Sequence, residues 1–339
     1  MVSKKNNKLS YPISAAPMMD VTNRHCRHFW RLLCDKTILY TEMVVTKAIL
    51  HGNRERFLSF SDEEQPLILQ LGGDNPKELA QCAQIAQQYG YSEVNLNVGC
   101  PSERVQSGNF GACLMHDPAL VAQCVQAMKE ACDLPVGVKH RLGTSERNGY
   151  DSLGEFVSKV GEAGCDRFTV HARIAVLGGL SPKQNREIPK LDYQQVLSLK
   201  KEYPQYRIEI NGGFETAEQI KSQLKKGLDG VMLGRILWNN PRLLLTLNSE
   251  VFDELTDDRS VVAPVEQYLS YLEEQAKQGV PLRLLLAPLM NIINGYAGAR
   301  AWRRTLTELP LASAMPAAVV QQLMGDINRI DNLLQAQAG

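Results

Sequence analysis

Eight short runs of apolar and β-branched residues recur along the first two thirds of the chain and predict β-strands. These runs cover residues 12–16, 37–40, 66–71, 93–97, 135–139, 167–171, 207–211 and 230–233. The segments between them have helical composition and spacing, most clearly at 76–89, 118–132, 153–163, 193–202 and 217–226. An Asn-Pro or Asp-Pro step opens the first two of these segments, as is typical of a helix start.

This alternation predicts an α/β fold with parallel strands joined by helical crossovers. Eight units between residues 12 and 247 fit a closed TIM (β/α)8 barrel. An open doubly wound sheet is the alternative fold. No G-x-G-x-x-G fingerprint follows the first predicted strand, which favours the barrel.

The strand pattern stops after Leu247, and segments 264–278, 282–295 and 317–338 predict amphipathic helices. We therefore predict a barrel domain over residues 1–247 and a small C-terminal all-α helical domain over residues 248–339. Residues 172–191, after the sixth predicted strand, exceed the usual connection of about 2 to 6 residues. On a barrel, such an insertion is expected to lie over the mouth of the active site.

Composition narrows the class of protein without identifying it. With 44% hydrophobic and 22% charged residues, the chain has the composition of a soluble globular protein. No segment resembles a signal peptide or a membrane span, so we expect a cytoplasmic location without membrane partners. The eight cysteines include no C-x-x-C pair, which argues against a zinc site and a disulfide framework, and we expect no metal.

The net charge is zero, which by itself does not predict nucleic-acid binding, but the charge is unevenly distributed. Residues 277–304 contain no Asp or Glu. The same segment carries five basic residues: Lys277, Arg283, Arg300, Arg303 and Arg304. The last three are spaced to share one face of a helix, an arrangement suited to nucleic-acid phosphates. Charged residues on one helical face are more often only solvated, but the absence of acidic residues from the whole segment favours phosphate binding.

Polar or small residues stand at the carboxyl ends of nearly all predicted strands, where barrels build their active sites. Gly212 and Gly213 follow the seventh predicted strand, and Gly234 and Arg235 follow the eighth. Barrels commonly bind a phosphate there, and a guanidinium group pairs well with phosphate oxygens. The alternative is that these glycines are only turn residues.

Three further residues at strand ends carry candidate chemistry. Lys139 and His171 end the fifth and sixth predicted strands. A lysine there is a Schiff-base nucleophile or a fixed charge beside an anionic cofactor ring, and the residues alone leave both open. The alternative without function is a lysine whose side chain extends from the strand end to solvent. Cys100 stands between Gly99 and Pro101 in a constrained turn. A thiol is mostly protonated at neutral pH and can act as a general acid, although a lone cysteine is often only packing.

Seven segments of the chain have the sequences, order and spacing found in one protein family. They are APMMDVTNRHCR at 16–27, YTEM at 40–43, LQLGG at 69–73, NLNVGCPSERVQSGNFGACLM at 95–115, VKHRLG at 138–143, GLSPKQNREIPKLDY at 179–193 and INGG at 210–213. The chain thereby resembles bacterial tRNA-dihydrouridine synthases, especially the subfamily that acts on tRNA positions 20 and 20a. The resemblance extends to GARAWRR at 298–304.

This resemblance implies a TIM barrel that binds FMN, a C-terminal helical domain, and NADPH as reductant. The implied FMN-binding residues are Pro17, Met18, Met19, Gln70, Lys139, His171, Asn211, Gly212, Gly213, Gly234 and Arg235. Lys139 is then a charge beside the reduced flavin rather than a Schiff base. Hydride would pass from FMN to C6 of uracil, and Cys100 would donate the proton to C5.

The resemblance also implies contacts with substrate tRNA, whose uridine must be extruded to reach a barrel pocket. The implied contacts are Asn97, Lys183, Arg186, Arg300 and Arg303. Ile174 and Val176 stand where the family usually has Lys and Trp, and we expect tuned RNA contacts rather than loss of activity. We expect a monomer, because no separate interface pattern is evident.

Two other function classes predict different features. A flavin oxidoreductase that acts on a free pyrimidine, of the dihydroorotate dehydrogenase kind, would need no basic face on its C-terminal helices. An RNA-binding protein whose barrel has lost its catalytic activity would have lost Cys100 or Lys139, and both are present.

Overall fold

The computed structural model of the chain describes residues 9–252, 260–312 and 316–338. Within these residues one parallel sheet holds all the strands. The strands are β1 (Ile13–Ala15), β2 (Leu39–Tyr40), β3 (Val44–Val45), β4 (Leu67–Gly72), β5 (Glu93–Val98), β6 (Val136–Arg141), β7 (Arg167–His171), β8 (Arg207–Asn211) and β9 (Gly230–Leu233). The predicted strands agree with β7, β8 and β9 residue for residue, and elsewhere the ends differ by one or two residues.

The sheet closes on itself as a barrel. Its order is β1-β9-β8-β7-β6-β5-β4-β2, and β3 pairs with β4 beside this path. The ring closes just before β2, where the Ala15 N–H donates to the Ile38 carbonyl at 2.8 Å and the Ile38 N–H donates to the Ile13 carbonyl at 2.9 Å. The predicted (β/α)8 barrel is therefore confirmed.

Helices connect the strands and continue after β9. In the described residues they are α1 (Arg24–Leu33), α2 (Thr46–His51), α3 (Arg54–Leu58), α4 (Pro76–Tyr89), α5 (Glu103–Gln106), α6 (Pro118–Ala131), α7 (Tyr150–Glu162), α8 (Tyr193–Glu202), α9 (Ala217–Lys225), α10 (Arg235–Asn239), α11 (Leu243–Glu250), α12 (Val262–Lys277), α13 (Leu282–Leu286), α14 (Ala299–Glu308) and α15 (Pro316–Ala338). None of these helices is both long and apolar enough to cross a membrane.

Local capping explains why the clearest helix predictions agree with the structure. The Asn75 side chain accepts hydrogen bonds from two N–H groups at the start of α4, and Asp117 accepts one at the start of α6. A proline follows each cap, at a position where a backbone N–H has no helical partner. Gly90 ends α4 with a φ of 85°, a left-handed conformation that glycine adopts readily.

Some elements differ from the prediction. The helix expected over 282–295 is wrong beyond Leu286, because a 3-10 helix at Ala287–Leu289 follows and Pro288 has no N–H to continue the α-helix. The short elements β3, α2 and α3 and the longer α1 were not predicted. The Asn23 side chain caps α1 and is the local signal that identifies it.

The chain forms two compact units. The first contains the described residues up to Asp20 together with Thr37–Gly234, and the second contains Val21–Lys36 together with the described residues from Arg235 onward. Within the second unit, α1 packs on α12, with the Phe29 and Tyr268 ring centroids 5.0 Å apart. The predicted boundary at residue 247 stays a prediction, and α1 belongs with the C-terminal helices although it follows β1 along the chain.

A buried ion-pair network occupies the barrel interior near the first residues of β5 and β7. Arg167 Nε lies 3.0 Å from Glu93 Oε2, and the same guanidinium group pairs with Glu209. Glu209 also pairs with Arg207 at 3.2 Å and accepts a hydrogen bond from Ser14 Oγ at 3.3 Å. Burial raises the pKa of Glu93 to about 7, although Arg167 opposes the shift. These contacts compensate charges that would otherwise be costly to bury.

We expect Glu209→Gln to lower the free energy of unfolding by about 3 kcal/mol, because it leaves the buried Arg167 guanidinium without one of its carboxylates. Urea unfolding at neutral pH measures the change. Glu155→Gln is the matched control, since Glu155 pairs with Arg147 at the surface, and its cost should stay below about 1 kcal/mol. Equal losses in the two variants would contradict a special role for the buried network.

Candidate active site

Polar side chains converge at the carboxyl ends of the barrel strands. Side chains alternate across a strand, so Asn97 on β5 faces the same side as Glu93 at the start of that strand. The strand register pairs Asn97 with Lys139, and it pairs His171 with Asn211. The structure therefore brings these four predicted site residues to one end of the barrel.

A chain of side-chain amides leads to the backbone of Cys100. Gln70 Nε2 donates to Asn95 Oδ1 at 2.9 Å, and Gln70 Oε1 accepts from Asn97 Nδ2 at 2.9 Å. Asn97 Oδ1 then accepts the N–H of Gly99 at 3.2 Å and the N–H of Cys100 at 3.0 Å. Asn97 thus fixes the turn after β5, and that turn presents Cys100.

The carbonyl side of Cys100 is held as well. The Ala112 N–H donates to the Cys100 carbonyl oxygen at 2.9 Å, and the half-buried thiol lies 3.5 Å from Ser102 Oγ. Gly111 has a φ of 76°, and a Cβ added there would lie 2.6 Å from the same carbonyl oxygen. Only glycine fits this close approach without moving the backbone at Cys100.

A cationic side chain lies on the strand next to Asn97, because the register pairs Asn97 with Lys139. Half-buried Lys139 donates from Nζ to Asn211 Oδ1 at 3.1 Å, and Asn211 Nδ2 donates to the Met232 carbonyl at 2.8 Å. Burial, reinforced by the charge of Arg141, lowers the pKa of Lys139 to about 7. Burial also holds the pKa of His171 well below its usual value, so its imidazole is neutral at pH 7. No salt bridge to a carboxylate involves Lys139 in the described part of the chain, so an anionic ligand would stabilise its charge.

Two glycines after β8 allow a close approach of side chains to the backbone. Gly212 and Gly213 have φ values of 120° and 78°. A Cβ on Gly212 would lie 2.9 Å from His171 Cδ2, and a Cβ on Gly213 would lie 2.5 Å from Leu191 Cδ1. The Tyr193 hydroxyl donates to the Gly212 carbonyl at 2.7 Å and fixes this turn. Left-handed turns of this kind present backbone N–H groups that can bind a phosphate.

The remaining predicted residues are distributed over both units. In the barrel unit, Pro17, Met18 and Met19 follow β1 and Gly234 follows β9. Lys183 and Arg186 lie at the 3-10 helix Gln184–Arg186 in the loop after β7. The second unit contains Arg235, which begins α10, and Arg300 and Arg303 on α14. The role of each residue stays a prediction.

The loop over residues 172–191 is organised by fully buried Asn185, which the sequence did not single out. Asn185 Oδ1 accepts the Val176 N–H at 2.8 Å, and Nδ2 donates to the carbonyls of Val176 at 3.0 Å and Leu180 at 3.2 Å. Val176 takes part through its backbone. The Val at position 176, where the resembled family usually has Trp, therefore does not disturb these loop hydrogen bonds.

Arg141 is a second residue that the sequence reasoning missed. It lies two residues after Lys139 on β6, so strand alternation places both side chains on the same face. Its Nε donates to the Gly99 carbonyl at 3.0 Å, and its NH1 donates to the carbonyls of Ile174 at 2.9 Å and Asn185 at 3.0 Å. The alternation of side chains along β6 could have identified Arg141 as a residue that faces the site. Its carbonyl partners lie in loops whose course the sequence did not show.

We expect Gly111→Ala to destabilise the protein by about 2 to 4 kcal/mol, since the new Cβ meets the Cys100 carbonyl at an already left-handed position. Gly227→Ala is the control: its φ is 95° and a Cβ there meets nothing within 4 Å, so its cost should be about 1 kcal/mol. Urea unfolding gives both values. The alkylation rate of Cys100, followed by peptide mass spectrometry, should change only in Gly111→Ala. An unchanged rate there would show that Gly111 does not position Cys100.

Comparison of the amino-acid sequence with known proteins identifies a family. The sequence model of the family Dihydrouridine synthase (Dus) matches residues 14–326. A relative from Synechocystis sp., named tRNA-dihydrouridine(20/20a) synthase, is 53% identical over 306 residues, which cover 90% of this chain and 91% of the relative. Relatives of the same name from Vibrio cholerae and Escherichia coli are 46% identical over 316 residues (93% of this chain, 96% of the relative) and 48% identical over 300 residues (88% and 90%).

Among solved structures, morphinone reductase is similar with a TM-score of 0.50 and 11% sequence identity. The similarity covers 69% of this chain and 84% of that chain. At this level of identity the similarity concerns the fold alone, and it agrees with the closed parallel barrel.

Proposed function

This chain belongs to the dihydrouridine synthase family, and we propose that it reduces the C5–C6 double bond of uridines at positions 20 and 20a of tRNA to give 5,6-dihydrouridine. The observation that carries this proposal is the setting of Cys100. Asn97 and Ala112 hold its backbone N–H and carbonyl groups at the carboxyl end of the barrel. We further propose that the protein acts as a monomer in the cytoplasm.

We propose FMN as the cofactor and NADPH as its reductant. When bound, reduced FMN supplies the hydride that C6 of uracil receives. Half-buried Lys139 supports this assignment, since its charge has only the Asn211 amide oxygen as hydrogen-bond partner among the described residues. The residues that would hold FMN are Pro17, Met18, Met19, Gln70, Lys139, His171, Asn211, Gly212, Gly213, Gly234 and Arg235.

The chain's own contribution to the reaction is to place the uridine and to supply a proton. Cys100 Sγ donates that proton to C5 of uracil. Asn97 Oδ1 already accepts two backbone N–H groups, but Nδ2 carries two hydrogens and gives one to Gln70. Its second hydrogen is available for a uracil carbonyl, so Asn97 can fix the thiol turn and orient the base.

The tRNA contacts would come from basic residues on a loop and on a helix. Lys183 is exposed and Arg186 is half-buried in the loop after β7. On α14, Arg300 is exposed and Arg303 NH1 donates to Asn294 Oδ1 at 3.1 Å. A reductase for free pyrimidines has no need of a basic helix, so α14 favours a polyanionic substrate.

We expect the wild-type protein with NADPH to add two hydrogens to position 20 or 20a of a tRNA pool that lacks dihydrouridine, as mapped by mass spectrometry. Cys100→Ala should keep the flavin and the tRNA affinity but lose turnover by about 100-fold or more, because general acid catalysis is removed. Half-buried Cys132 at the end of α6 supplies the control variant Cys132→Ala, which should be fully active.

Two outcomes would contradict these expectations. Normal turnover in Cys100→Ala would remove the thiol from the mechanism. Reduction of a free pyrimidine without any change in tRNA would identify the protein as a small-molecule oxidoreductase.

We expect the double variant Arg300→Glu/Arg303→Glu to weaken tRNA binding by roughly tenfold or more and to reduce the slope of log affinity against log salt by about 2, since two phosphate contacts are lost. Reduction of the flavin by NADPH should be unaffected. The control is Lys225→Glu/Lys226→Glu, which reverses two exposed charges at the end of α9. Equal loss of affinity in both variants would move the RNA-binding surface away from α14.

A further inference from the structure

The Arg141 side chain joins three separate segments of the barrel unit. Its three hydrogen bonds go to the backbone carbonyls of Gly99, Ile174 and Asn185. Gly99 precedes the candidate proton donor, and the other two residues belong to the loop after β7. We propose that Arg141 is a positioning residue that couples the loop carrying Lys183 and Arg186 to the turn carrying Cys100. This inference rests on the proposed function.

The first step of the argument is the peptide unit between Gly99 and Cys100. Arg141 Nε binds its carbonyl oxygen at 3.0 Å, while Asn97 Oδ1 binds its N–H at 3.0 Å. Both polar groups of one planar peptide are therefore held from opposite directions. The orientation of that plane sets the direction in which the Cys100 side chain leaves the backbone, so Arg141 controls where the thiol points.

The second step concerns the loop after β7. Arg141 NH1 bridges the carbonyls of Ile174, near the start of the loop, and Asn185, in its 3-10 helix. Asn185 lies between Lys183 and Arg186, and its side chain ties this part of the loop to Val176. Any displacement of this segment by bound RNA therefore acts directly on the Arg141 guanidinium group.

The third step is the cost of leaving Arg141 without these partners. Its side chain is buried, with 3% of the residue exposed, and no carboxylate forms a salt bridge with it within the described ranges. A buried guanidinium without a counter-ion needs its hydrogen bonds to carbonyls to compensate for lost hydration. The guanidinium group consequently keeps its hydrogen bonds to the Cys100 turn and to the loop after β7 at the same time. An exposed guanidinium group could exchange them for water.

The test uses the flavin-loaded enzyme with tRNA and two substitutions. Arg141→Met removes every donor, and Arg141→Lys keeps the charge but cannot reach three carbonyls with the same planar geometry. Both variants should bind the flavin and accept electrons from NADPH within about twofold of wild type. Their kcat for dihydrouridine formation should fall roughly tenfold to a hundredfold through misplacement of Cys100. Arg147→Met is the control, since Arg147 also donates to a backbone carbonyl, that of His116, but lies outside the site; it should keep its kcat.

Two further readouts separate positioning from a general structural role. The alkylation rate of Cys100, measured against Cys132 in the same sample by peptide mass spectrometry, should shift more than threefold in both Arg141 variants. Lys183→Ala should raise KM for tRNA and lower kcat in the wild-type background. In the Arg141→Met background it should raise KM alone, because the link from the loop to Cys100 is already broken.

Several results would overturn the inference. Full kcat in Arg141→Lys would show that the charge alone is needed. A lower kcat with unchanged Cys100 alkylation would place Arg141 in direct contact with the uridine. Equal kcat effects of Lys183→Ala in both backgrounds would exclude coupling. If Arg141→Met fails to fold, Arg141→Lys carries the test in both assays.

A wild-type enzyme that forms no dihydrouridine would refute the proposed function instead, and Cys100 alkylation would still decide the positioning role.

Discussion

Ring closure by parallel strands is the constraint on which the other features of the barrel unit depend. The closing hydrogen bonds between β1 and Ile38 are backbone contacts and do not depend on side-chain identity. Because neighbouring strands run in the same direction, their carboxyl ends lie at one end of the ring. Residues as distant in sequence as Asn97 and Asn211 thereby become neighbours of Lys139.

Charged residues at the two ends of the barrel strands are compensated in different ways. Near the first residues of β5 and β7, Arg167 is compensated by Glu93 and Glu209. At the carboxyl ends, Lys139 and Arg141 bind amide or carbonyl oxygens and form no salt bridge within the described residues. The first arrangement stabilises the fold, while in the second the charge of Lys139 is left for a bound anion to compensate.

The turn at Cys100 shows how much of a reactive site is backbone geometry. Asn97, Arg141 and Ala112 together hold the polar groups on both sides of this residue. Gly111 permits the approach, because any side chain at its left-handed position would meet the Cys100 carbonyl. The thiol supplies the proton in our proposal, but its direction is set by residues that carry no acid–base chemistry there.

The amino-acid sequence by itself determined the features that depend on local pattern. Alternating apolar runs and capped helices predicted the barrel, and strand-end residues such as Lys139 and Asn211 were identified from position and motif. The role of Arg141 and the attachment of α1 to the C-terminal helices were decided only by the tertiary structure. Arg141 binds carbonyls in two distant loops, and Phe29 of α1 packs against Tyr268 far along the chain. Periodicity and caps describe neighbours along the sequence, whereas these contacts exist only once the ring has closed and the helices have packed.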